Sequence, residues 1–249
     1  MNTRVLILAG GKGSRMGAAV PKAMVPVDGI PIIDRILSAV NESGVDTRPA
    51  VVMGHDLEIL QSYVGDRAEP VIQHEQRGTG HAVMVAQDAL HPADQVVVFY
   101  GDHPLYKAQT ICALVENHQK NDAVITMTTV TLPDYDDWRA VYAQYGRILR
   151  NDSGAVRTIR EHALCTDEER ACTEVNNGLY CFDAEWLWEN IHRLSDANAK
   201  REFLLTDLIA LAVDQGRGVE TSPCPMEEGI GVNTPEEVLL AEQVARNGS

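Results

Sequence analysis

Residues 4–17 read RVLILAGGKGSRMG, a short apolar run that leads directly into a glycine-rich turn. The apolar run predicts a strand that is buried on both faces. Three cations, Lys12, Arg15 and Lys22, lie in or just after the turn, in a chain that is otherwise acidic. Glycines let a backbone approach phosphate closely, and clustered backbone N–H groups bind anions. Taken alone, the stretch fits an anion-binding loop and a structural strand-to-helix turn about equally well.

Two known phosphate-binding patterns differ from this turn. The Walker pattern GxxxxGK[ST] does not occur in AGGKGSRMG. The dinucleotide fingerprint begins correctly, since Gly11 and Gly13 supply GxG after a strand, but the third glycine, Gly17, falls one position late. Its acidic partner at the end of a second strand is also missing, because Asp28 lies in a VDGIP turn. The three cations suit a triphosphate better than a pyrophosphate that is held mainly by backbone amides.

The first half of the chain alternates between strand and helix patterns. This βα alternation predicts an α/β fold with a Rossmann-like, mostly parallel sheet and helices on both faces. Ligands of such sheets bind beyond the carboxyl ends of the strands, so the loops that follow these strands are expected to share one crevice. The predicted strands cover 4–9, 49–53, 69–73 and 95–102, and the predicted helices cover 31–40, 56–64, 79–90 and 108–119.

The second half is less regular. No repeat, low-complexity linker or composition break divides it from the first half. We therefore expect one domain over residues 1–249, whose later part forms a small antiparallel lobe over the crevice. The patterns predict a strand at 122–132, a hairpin at 145–162 that turns at NDSG, a strand at 175–183, a helix at 205–216 and a last helix with Thr234 as its N-cap.

The composition limits the class of protein. The 249 residues include 36 acids and 21 bases, for a net charge of −15, which argues against a nucleic-acid partner. The five cysteines are odd in number and form no CxxC pair, which indicates reduced thiols rather than a disulfide framework or a cysteine metal site. No apolar run approaches the roughly 18 residues of a membrane span. We expect a cytoplasmic protein with no membrane partner.

Five stretches, in order along the chain, carry a family resemblance: LAGGKGSRMG followed by PK (8–22), QHEQRGTGHAV (73–83), YGDHPL (100–105), EVNNGLY (174–180) and GVN (231–233). Together they resemble the sugar-phosphate nucleotidyltransferases, and within that family the uridyltransferase domain of the bacterial N-acetylglucosamine-1-phosphate uridyltransferases. The resemblance implies a fold of the nucleotide-diphospho-sugar transferase type. It also implies that UTP and a sugar 1-phosphate, N-acetylglucosamine 1-phosphate in the nearest relatives, give a UDP-sugar and pyrophosphate with Mg²⁺ as cofactor.

The resemblance assigns a role to individual residues. Arg15 and Lys22 would be catalytic cations that neutralise the triphosphate, and Asp102 and Asn233 would be the protein ligands of Mg²⁺. Independently, Asp102 ends a predicted buried strand, where an unpaired carboxylate is costly; a helix-capping or ion-paired aspartate is the structural alternative. The implied nucleotide-binding residues are Leu8, Ala9, Gly10, Gly11, Gly13, Gln73, Gly78 and Thr79. The implied sugar-binding residues are Gly146, Glu161 and Asn176.

The residue types agree with these roles. An amide such as that of Gln73 donates and accepts at once, which matches the imide edge of a pyrimidine. Thr79 begins a predicted helix, where its hydroxyl could serve either as an N-cap or as a nucleotide contact. We expect His74 and His81 to be structural, because the attacking phosphate is already anionic and needs no general base. The resemblance divides the domain into a nucleotide-binding half (1–121), a sugar-binding half (122–233), and a closing helix and tail (234–249).

The chain departs from the family pattern in three places. Asn177 stands where the family commonly has threonine, and the stretch 132–145 is longer than usual. Both differences bear on the identity of the sugar more than on the chemistry. The hexapeptide-repeat β-helix that carries acetyltransferase activity in bifunctional relatives is absent from these 249 residues. We expect either a monofunctional protein or an excised domain, and oligomeric state is left open.

Three alternatives remain open at this stage. Thymidylyl or cytidylyl transfer to another sugar phosphate would use the same chemistry. A catalytically silent nucleotide-sugar-binding domain would not need Arg15, Lys22, Asp102 and Asn233 together. An NAD-dependent oxidoreductase would share the fold class, but the late Gly17 disfavours it.

Overall fold

The computed structural model describes residues 1–11, 13, 15–18, 20–54, 57–198 and 201–247. Lys12, one of the three cations of the glycine-rich turn, lies outside the described residues, as do the first residue of the predicted helix 56–64 and the last two residues of the tail.

Strands and helices alternate as the sequence predicts, with most boundaries within about two residues of the predicted ones. The strands are β1 (Thr3–Leu8), β2 (Pro26–Val27), β3 (Ile30–Pro31), β4 (Ala50–Met53), β5 (Glu69–Ile72), β6 (Gln95–Tyr100), β7 (Ala123–Thr131), β8 (Arg147–Arg150), β9 (Val156–Arg160), β10 (Glu174–Asp183) and β11 (Gly218–Pro223). The helices are α1 (Ile32–Ser43), α2 (Leu57–Val64), α3 (Thr79–Met84), α4 (Gln87–Leu90), α5 (Ala108–Lys120), α6 (Asp167–Arg170), α7 (Ala184–Asn190), α8 (Asp207–Asp214) and α9 (Pro235–Asn247).

Nine of the described strands form one large mixed sheet, whose main path has the order β11-β7-β10-β6-β1-β4-β5, with β8 and β9 attached beside β10. The two short strands β2 and β3 form a separate antiparallel pair. Every pair along this order is parallel except the two pairs of β10, which is antiparallel to both β6 and β7. The α/β fold class is therefore confirmed, with a mostly parallel sheet. The antiparallel strand β10 lies between β6 from the first half of the chain and β7 from the second half.

Helices cover both faces of this sheet. Along β1, Val5 and Ile7 point to the face covered by α1, α2, α5 and α9, whereas Leu6 points to the face covered by α3, α4, α7 and α8. Alternate residues of a strand point to opposite faces, so two buried faces produce the continuous apolar run that begins the sequence. The residues Val5, Leu6 and Ile7 are fully buried.

The predicted hairpin at 145–162 is present as the antiparallel pair β8–β9, and β8 also pairs with β10 through Arg147 and Val175. Asn151 closes its turn, because its Oδ1 accepts hydrogen bonds from the backbone N–H groups of Ser153 and Ala155. Two expectations differ in detail. The predicted helix 79–90 consists of two short helices, α3 and α4, and the predicted strand 95–102 ends at Tyr100, which leaves Asp102 in the following turn.

Candidate active site

The glycine-rich segment and the Asp102 segment follow two neighbouring parallel strands, β1 and β6. Their ends are in direct contact, because the Gly101 N–H donates to the Leu8 carbonyl at 3.0 Å. A Cβ at Gly101 would lie only 2.5 Å from that oxygen, so only glycine permits this approach. On the other side, the Ala9 N–H donates to the Val52 carbonyl of β4 at 2.9 Å. The two segments therefore leave the sheet side by side at its carboxyl edge.

A cleft of about 740 Å³ opens at this edge. It contains ten of the residues for which sequence reasoning proposes a role: Leu8, Ala9, Gly10, Gly11, Arg15, Lys22, Gln73, Gly78, Thr79 and Asp102. Six further lining residues were not anticipated: Ala23, Gln76, Ala82, Tyr100, Gly101 and Glu202. Tyr100 and Gly101 directly precede Asp102, so the motif YGDHPL could have indicated them. A larger groove of about 990 Å³, beside Arg35, Tyr106 and Glu228, includes none of the proposed site residues in its described lining.

Four side chains from three distant parts of the chain converge in and beside this cleft. The Lys22 ammonium donates to Oδ2 of Asp102 at 2.7 Å and to Oδ1 of Asn233 at 2.8 Å. The Arg15 guanidinium donates to the same Asn233 oxygen at 3.1 Å. The fold thus brings together both proposed catalytic cations and both proposed metal ligands.

The glycine at position 13 contributes to this convergence through its backbone. Its φ of +58° is a left-handed conformation that L side chains rarely adopt, and a Cβ there would lie 2.9 Å from Cβ of Lys22. A larger residue would push apart the two segments that carry Arg15 and Lys22. Gly13 therefore acts as a spacer, and it is not among the described residues that line the cleft.

Asp102 is ionised and held in place from two sides. Burial of its carboxyl group opposes ionisation, but the Lys22 ammonium and the His103 ring outweigh burial and hold the pKa of Asp102 well below its usual range. Nδ1 of His103 lies 2.8 Å from Oδ1 of Asp102. An ionised carboxylate can only accept, so His103 donates from Nδ1. The two oxygens of Asp102 therefore face different partners, and His103 was not anticipated as one of them.

The oxygens of Asp102 and Asn233 are suited to a hard divalent cation. Carboxylate and amide oxygens are the ligands that Mg²⁺ accepts, and a magnesium site usually includes few protein ligands because water and phosphate oxygens complete its shell. One oxygen from each residue already lies within 2.8 Å of the same positively charged nitrogen, Nζ of Lys22. Their convergence on one cation fits a metal site at this position.

The segment that carries Asn233 is fixed by backbone and capping hydrogen bonds. The Val232 N–H donates to the Asp102 carbonyl at 2.8 Å, which ties the two proposed metal ligands together through the main chain. Thr234 and Glu237 form a capping box at the start of α9: Glu237 N–H donates to Oγ1 of Thr234 at 3.3 Å, and Oε2 of Glu237 accepts from Thr234 N–H at 3.1 Å. The prediction of Thr234 as N-cap is thus confirmed.

The long stretch 132–145 contacts this same segment. It ends in a 3₁₀ helix, Asp137–Gln144, and the following Tyr145 accepts a hydrogen bond from Gly231 N–H at 2.6 Å. The Tyr142 hydroxyl donates to the Met226 carbonyl. The extra length therefore supports the loop before Asn233. Asn177, the other departure from the family pattern, is buried and its Oδ1 accepts from the Thr128 hydroxyl at 2.7 Å, which makes it a link between β10 and β7.

The residues proposed for base recognition lie together at the start of α3. Gln73 is 4% exposed and follows β5. Gly78 has a φ of +106°, and a Cβ there would lie 2.5 Å from the Phe203 carbonyl oxygen. The N-cap of α3 is Gly78 rather than Thr79, so the N-cap interpretation of Thr79 is wrong. The Thr79 hydroxyl instead accepts from the Leu205 N–H at 3.0 Å, which attaches the segment containing Glu202 and Phe203 to the cleft.

The three residues proposed for the sugar lie outside the described lining of this cleft but are connected to it. Gly146 precedes β8, and its carbonyl accepts from Asn176 N–H at 2.9 Å. Asn176 Oδ1 accepts from the Tyr180 hydroxyl at 2.9 Å. Burial raises the pKa of Tyr100 in the cleft to about 12, opposed by hydrogen bonds with Tyr180 and Thr79. A chain of polar side chains therefore leads from Asn176 to the cleft wall.

Glu161 also lies near this chain. Its negative charge adds to the effect of burial in raising the pKa of Tyr100 and of Tyr180.

Among the described residues, no helix is both long and apolar enough to span a membrane.

Relatives of known name match nearly the whole chain. It is 38% identical over 251 aligned residues to the bifunctional protein GlmU of Latilactobacillus sakei, and 36% identical over 247 to GlmU of Halalkalibacterium halodurans. These alignments cover 99% and 98% of this chain but 52% of each relative, so the chain spans about half the length of the curated relatives it matches.

The fold is also similar to a solved structure. A Bacillus anthracis protein assigned as a glucose-1-phosphate thymidylyltransferase, in complex with sucrose, superimposes with a TM-score of 0.79, covering 98% of this chain and 96% of that one at 19% identity. This likeness concerns the fold.

The model of the MobA-like NTP transferase domain matches residues 5–204, which include β1, the glycine-rich segment and Asp102. The chain belongs to the MobA-like NTP transferase family.

Proposed function

We propose that this protein transfers a uridylyl group from UTP to a sugar 1-phosphate, with N-acetylglucosamine 1-phosphate as the acceptor and Mg²⁺ as the cofactor. The products are a UDP-sugar and pyrophosphate. The observation that supports this most is the convergence of Arg15, Lys22, Asp102 and Asn233, with Lys22 in direct contact with both proposed metal ligands. A structural turn would not need two cations and two oxygen ligands in one place.

The chemistry needs charge neutralisation and alignment more than proton transfer. An oxygen of the sugar phosphate attacks the α-phosphorus of UTP in line with the departing pyrophosphate. Lys22 and Arg15 would neutralise the phosphate oxygens on which negative charge accumulates, while the backbone of residues 9–11 faces the phosphates from the cleft wall. Bound Mg²⁺, held by Asp102 and Asn233, would supply Lewis-acid charge and orient the phosphates.

The base would be bound between the end of β5 and the start of α3, where Gln73 and Gly78 line the same cleft. Gln73 is buried, so a base that hydrogen-bonds to its side-chain carbonyl would give this polar oxygen a partner. Its carbonyl can accept from the imide N–H of uracil. The polar chain through Tyr100, Tyr180 and Asn176 would connect the cleft to the sugar.

Thymidylyl transfer is the second candidate. Uracil and thymine present the same imide edge, so a Gln73 that recognises one base accepts the other unless something contacts the methyl group. The relatives named GlmU favour the uridylyl assignment, because each shares more than a third of its aligned residues with this chain.

A pyrophosphate-release panel tests the proposal. UTP, dTTP, CTP, ATP and GTP are each combined with N-acetylglucosamine 1-phosphate, glucose 1-phosphate and galactose 1-phosphate, with Mg²⁺ and after its removal by EDTA. The expected result is release with UTP and N-acetylglucosamine 1-phosphate that depends on Mg²⁺. Release with dTTP and glucose 1-phosphate instead would select the second candidate. No release with any pair, in a protein that still binds UTP, would indicate a binding domain.

A further inference from the structure

The side chain of Gln73 has a side-chain partner, His81, that the base-recognition role does not account for. Its Nε2 lies 3.0 Å from Nδ1 of His81 and donates to the Gly78 carbonyl at 3.3 Å. Both partners belong to the first turn of α3 and the residue before it. Gln73 itself is 4% exposed, so these contacts govern how its amide is oriented.

The direction of the amide follows from the Gly78 carbonyl. A backbone carbonyl can only accept a hydrogen bond, so the group that faces it must be the NH₂ end of Gln73. The same NH₂ faces Nδ1 of His81. His81 must therefore accept at Nδ1, which requires that this nitrogen carry no proton.

The surroundings of His81 favour that protonation state. Burial and the positive charge of Arg77 lower the pKa of His81, while the Glu75 carboxylate and a hydrogen bond to the Glu75 backbone act in the opposite direction. The ring is stacked near Phe203, with ring centroids 6.4 Å apart, and Arg77 lies over the same Phe203 ring at 4.8 Å. A neutral ring with an unprotonated Nδ1 is consistent with all these contacts.

Because the NH₂ group of Gln73 is bound by Gly78 and His81, its carbonyl oxygen faces away from these two residues. That Oε1 lies against the glycine-rich segment: a Cβ at Gly10 would be 3.0 Å from it. Gly10, Gln73 and Gly78 all line the cleft. Because Gly10 lacks a side chain, the oxygen stays open to a planar ligand that enters between these segments.

We propose that His81 is a positioning residue that fixes the hydrogen-bonding direction of Gln73 and so makes this site select an imide base over cytosine. Uracil and thymine carry N–H at ring position 3, which pairs with the Gln73 carbonyl. Cytosine carries a lone pair there, which faces the carbonyl with like polarity. The inference rests on the proposed nucleotide-transfer function and concerns how its base is chosen.

The test compares variants of His81 in the full chain. His81→Phe keeps the flat ring beside Phe203 but has no acceptor, and His81→Asn places an amide oxygen close to the position of Nδ1. The dissociation constants of UTP and CTP are measured by calorimetry with Mg²⁺ and without sugar phosphate. We expect H81F to reduce the preference for UTP over CTP roughly five- to tenfold, the effect of one net hydrogen bond, and H81N to restore most of it.

A double-mutant cycle separates positioning from general loosening of the site. Gln73→Leu should remove the preference, and adding H81F to Q73L should then change the UTP-to-CTP ratio no further, since His81 acts only through Gln73. An equal reduction by H81F in both backgrounds would overturn the inference. An unchanged ratio in H81F alone would do the same.

The protonation of His81 can also be measured in the wild-type chain, which does not require any variant to fold. Long-range ¹H–¹⁵N correlation spectra report which ring nitrogen of His81 is protonated, and a proton on Nδ1 at neutral pH would contradict the inference. Wild-type protein that binds neither UTP nor CTP would instead overturn the proposed function itself.

Discussion

Nζ of Lys22 lies 2.7 Å from Oδ2 of Asp102, and this ion pair joins the glycine-rich segment to the end of β6. The side chains are 15% and 23% exposed, so the pair is partly shielded from water. The attraction within such a pair is screened less by water than on the surface, and removing either partner leaves the other charge without compensation.

Replacing Lys22 should reduce catalysis more than substrate binding. For Lys22→Met, which keeps most of the length of the side chain but removes its charge, we expect kcat to fall about 100-fold with a smaller change in KM for UTP, because the charge would act mainly on the transition state. Steady-state pyrophosphate release measures both constants. Lys120→Met, at an exposed position on α5, is the matched control and should leave both unchanged. A rise in KM alone would place Lys22 in ground-state binding.

Replacing Asp102 should weaken metal binding and nearly abolish the activity. Asp102→Asn keeps the size of the side chain but weakens a carboxylate ligand and leaves Lys22 without its charge partner. We expect less than about 1% of wild-type activity and weaker Mn²⁺ binding in electron paramagnetic resonance titrations. Asp152→Asn, in the exposed hairpin turn, serves as control. Unchanged Mn²⁺ binding in D102N would exclude Asp102 as a metal ligand.

The Tyr145 hydroxyl should support the proposed metal site without contacting the metal. Tyr145→Phe removes the acceptor of the Gly231 N–H, two residues before Asn233. We expect the Mg²⁺ concentration for half-maximal activity to rise roughly tenfold, with little change in activity at saturating Mg²⁺. Tyr63→Phe is the control. It removes a hydroxyl of α2 that donates to Asp34 of α1, and neither residue lines the cleft, so the Mg²⁺ dependence should not change. An equal loss at all Mg²⁺ concentrations would argue against the support role.

Stability should decrease as the pH falls below about 6.5, the ordinary pKa of histidine. Burial lowers the pKa of His118, opposed by the Asp183 charge, and Nδ1 of His118 contacts the Thr126 hydroxyl at 2.9 Å. The unfolded chain therefore binds a proton at a higher pH than the folded one. Its contribution to stability is complete above the unfolded pKa and is lost as the pH falls towards the lowered folded pKa.

Urea unfolding between pH 8 and pH 5 measures this dependence. His118→Asn cannot take up a proton, so its free energy of unfolding should fall less steeply over this range than that of the wild type. The pKa values of His81 and His162 are also lowered, so part of the slope should remain. Identical slopes in H118N and the wild type would show that His118 does not contribute.

The strands, most helix positions and the cleft could be predicted because their signals are local. An apolar run buried on both faces, a strand followed by glycines, and an aspartate after a buried strand can each be read within about ten residues. The parallel alternation then places Leu8 and Gly101 at one sheet edge.

Other features depend on contacts between segments that are distant in sequence, and the local pattern of apolar and polar residues does not determine such contacts. The antiparallel insertion of β10 between β6 and β7 is one example, since the pattern of 174–183 is the same in either direction. Glu202 lies in the cleft because the Thr79 hydroxyl binds the Leu205 N–H, a contact between residues 126 positions apart. Threonine is a common N-cap residue, so Thr79 was a candidate for the N-cap of α3. Gly78, with its positive φ, is the N-cap instead.

The position of β10 between β6 and β7 also affects the order in which the chain can fold during synthesis. Without the residues beyond 121, β6 would pair with β1 on one side only, and its other edge, along residues 96–99, would present unpaired backbone N–H and C=O groups. That edge stays open until about sixty further residues, through Asp183, have been added. Open apolar edges are sites of aggregation. We therefore expect a fragment ending near residue 121 to aggregate rather than form a stable half.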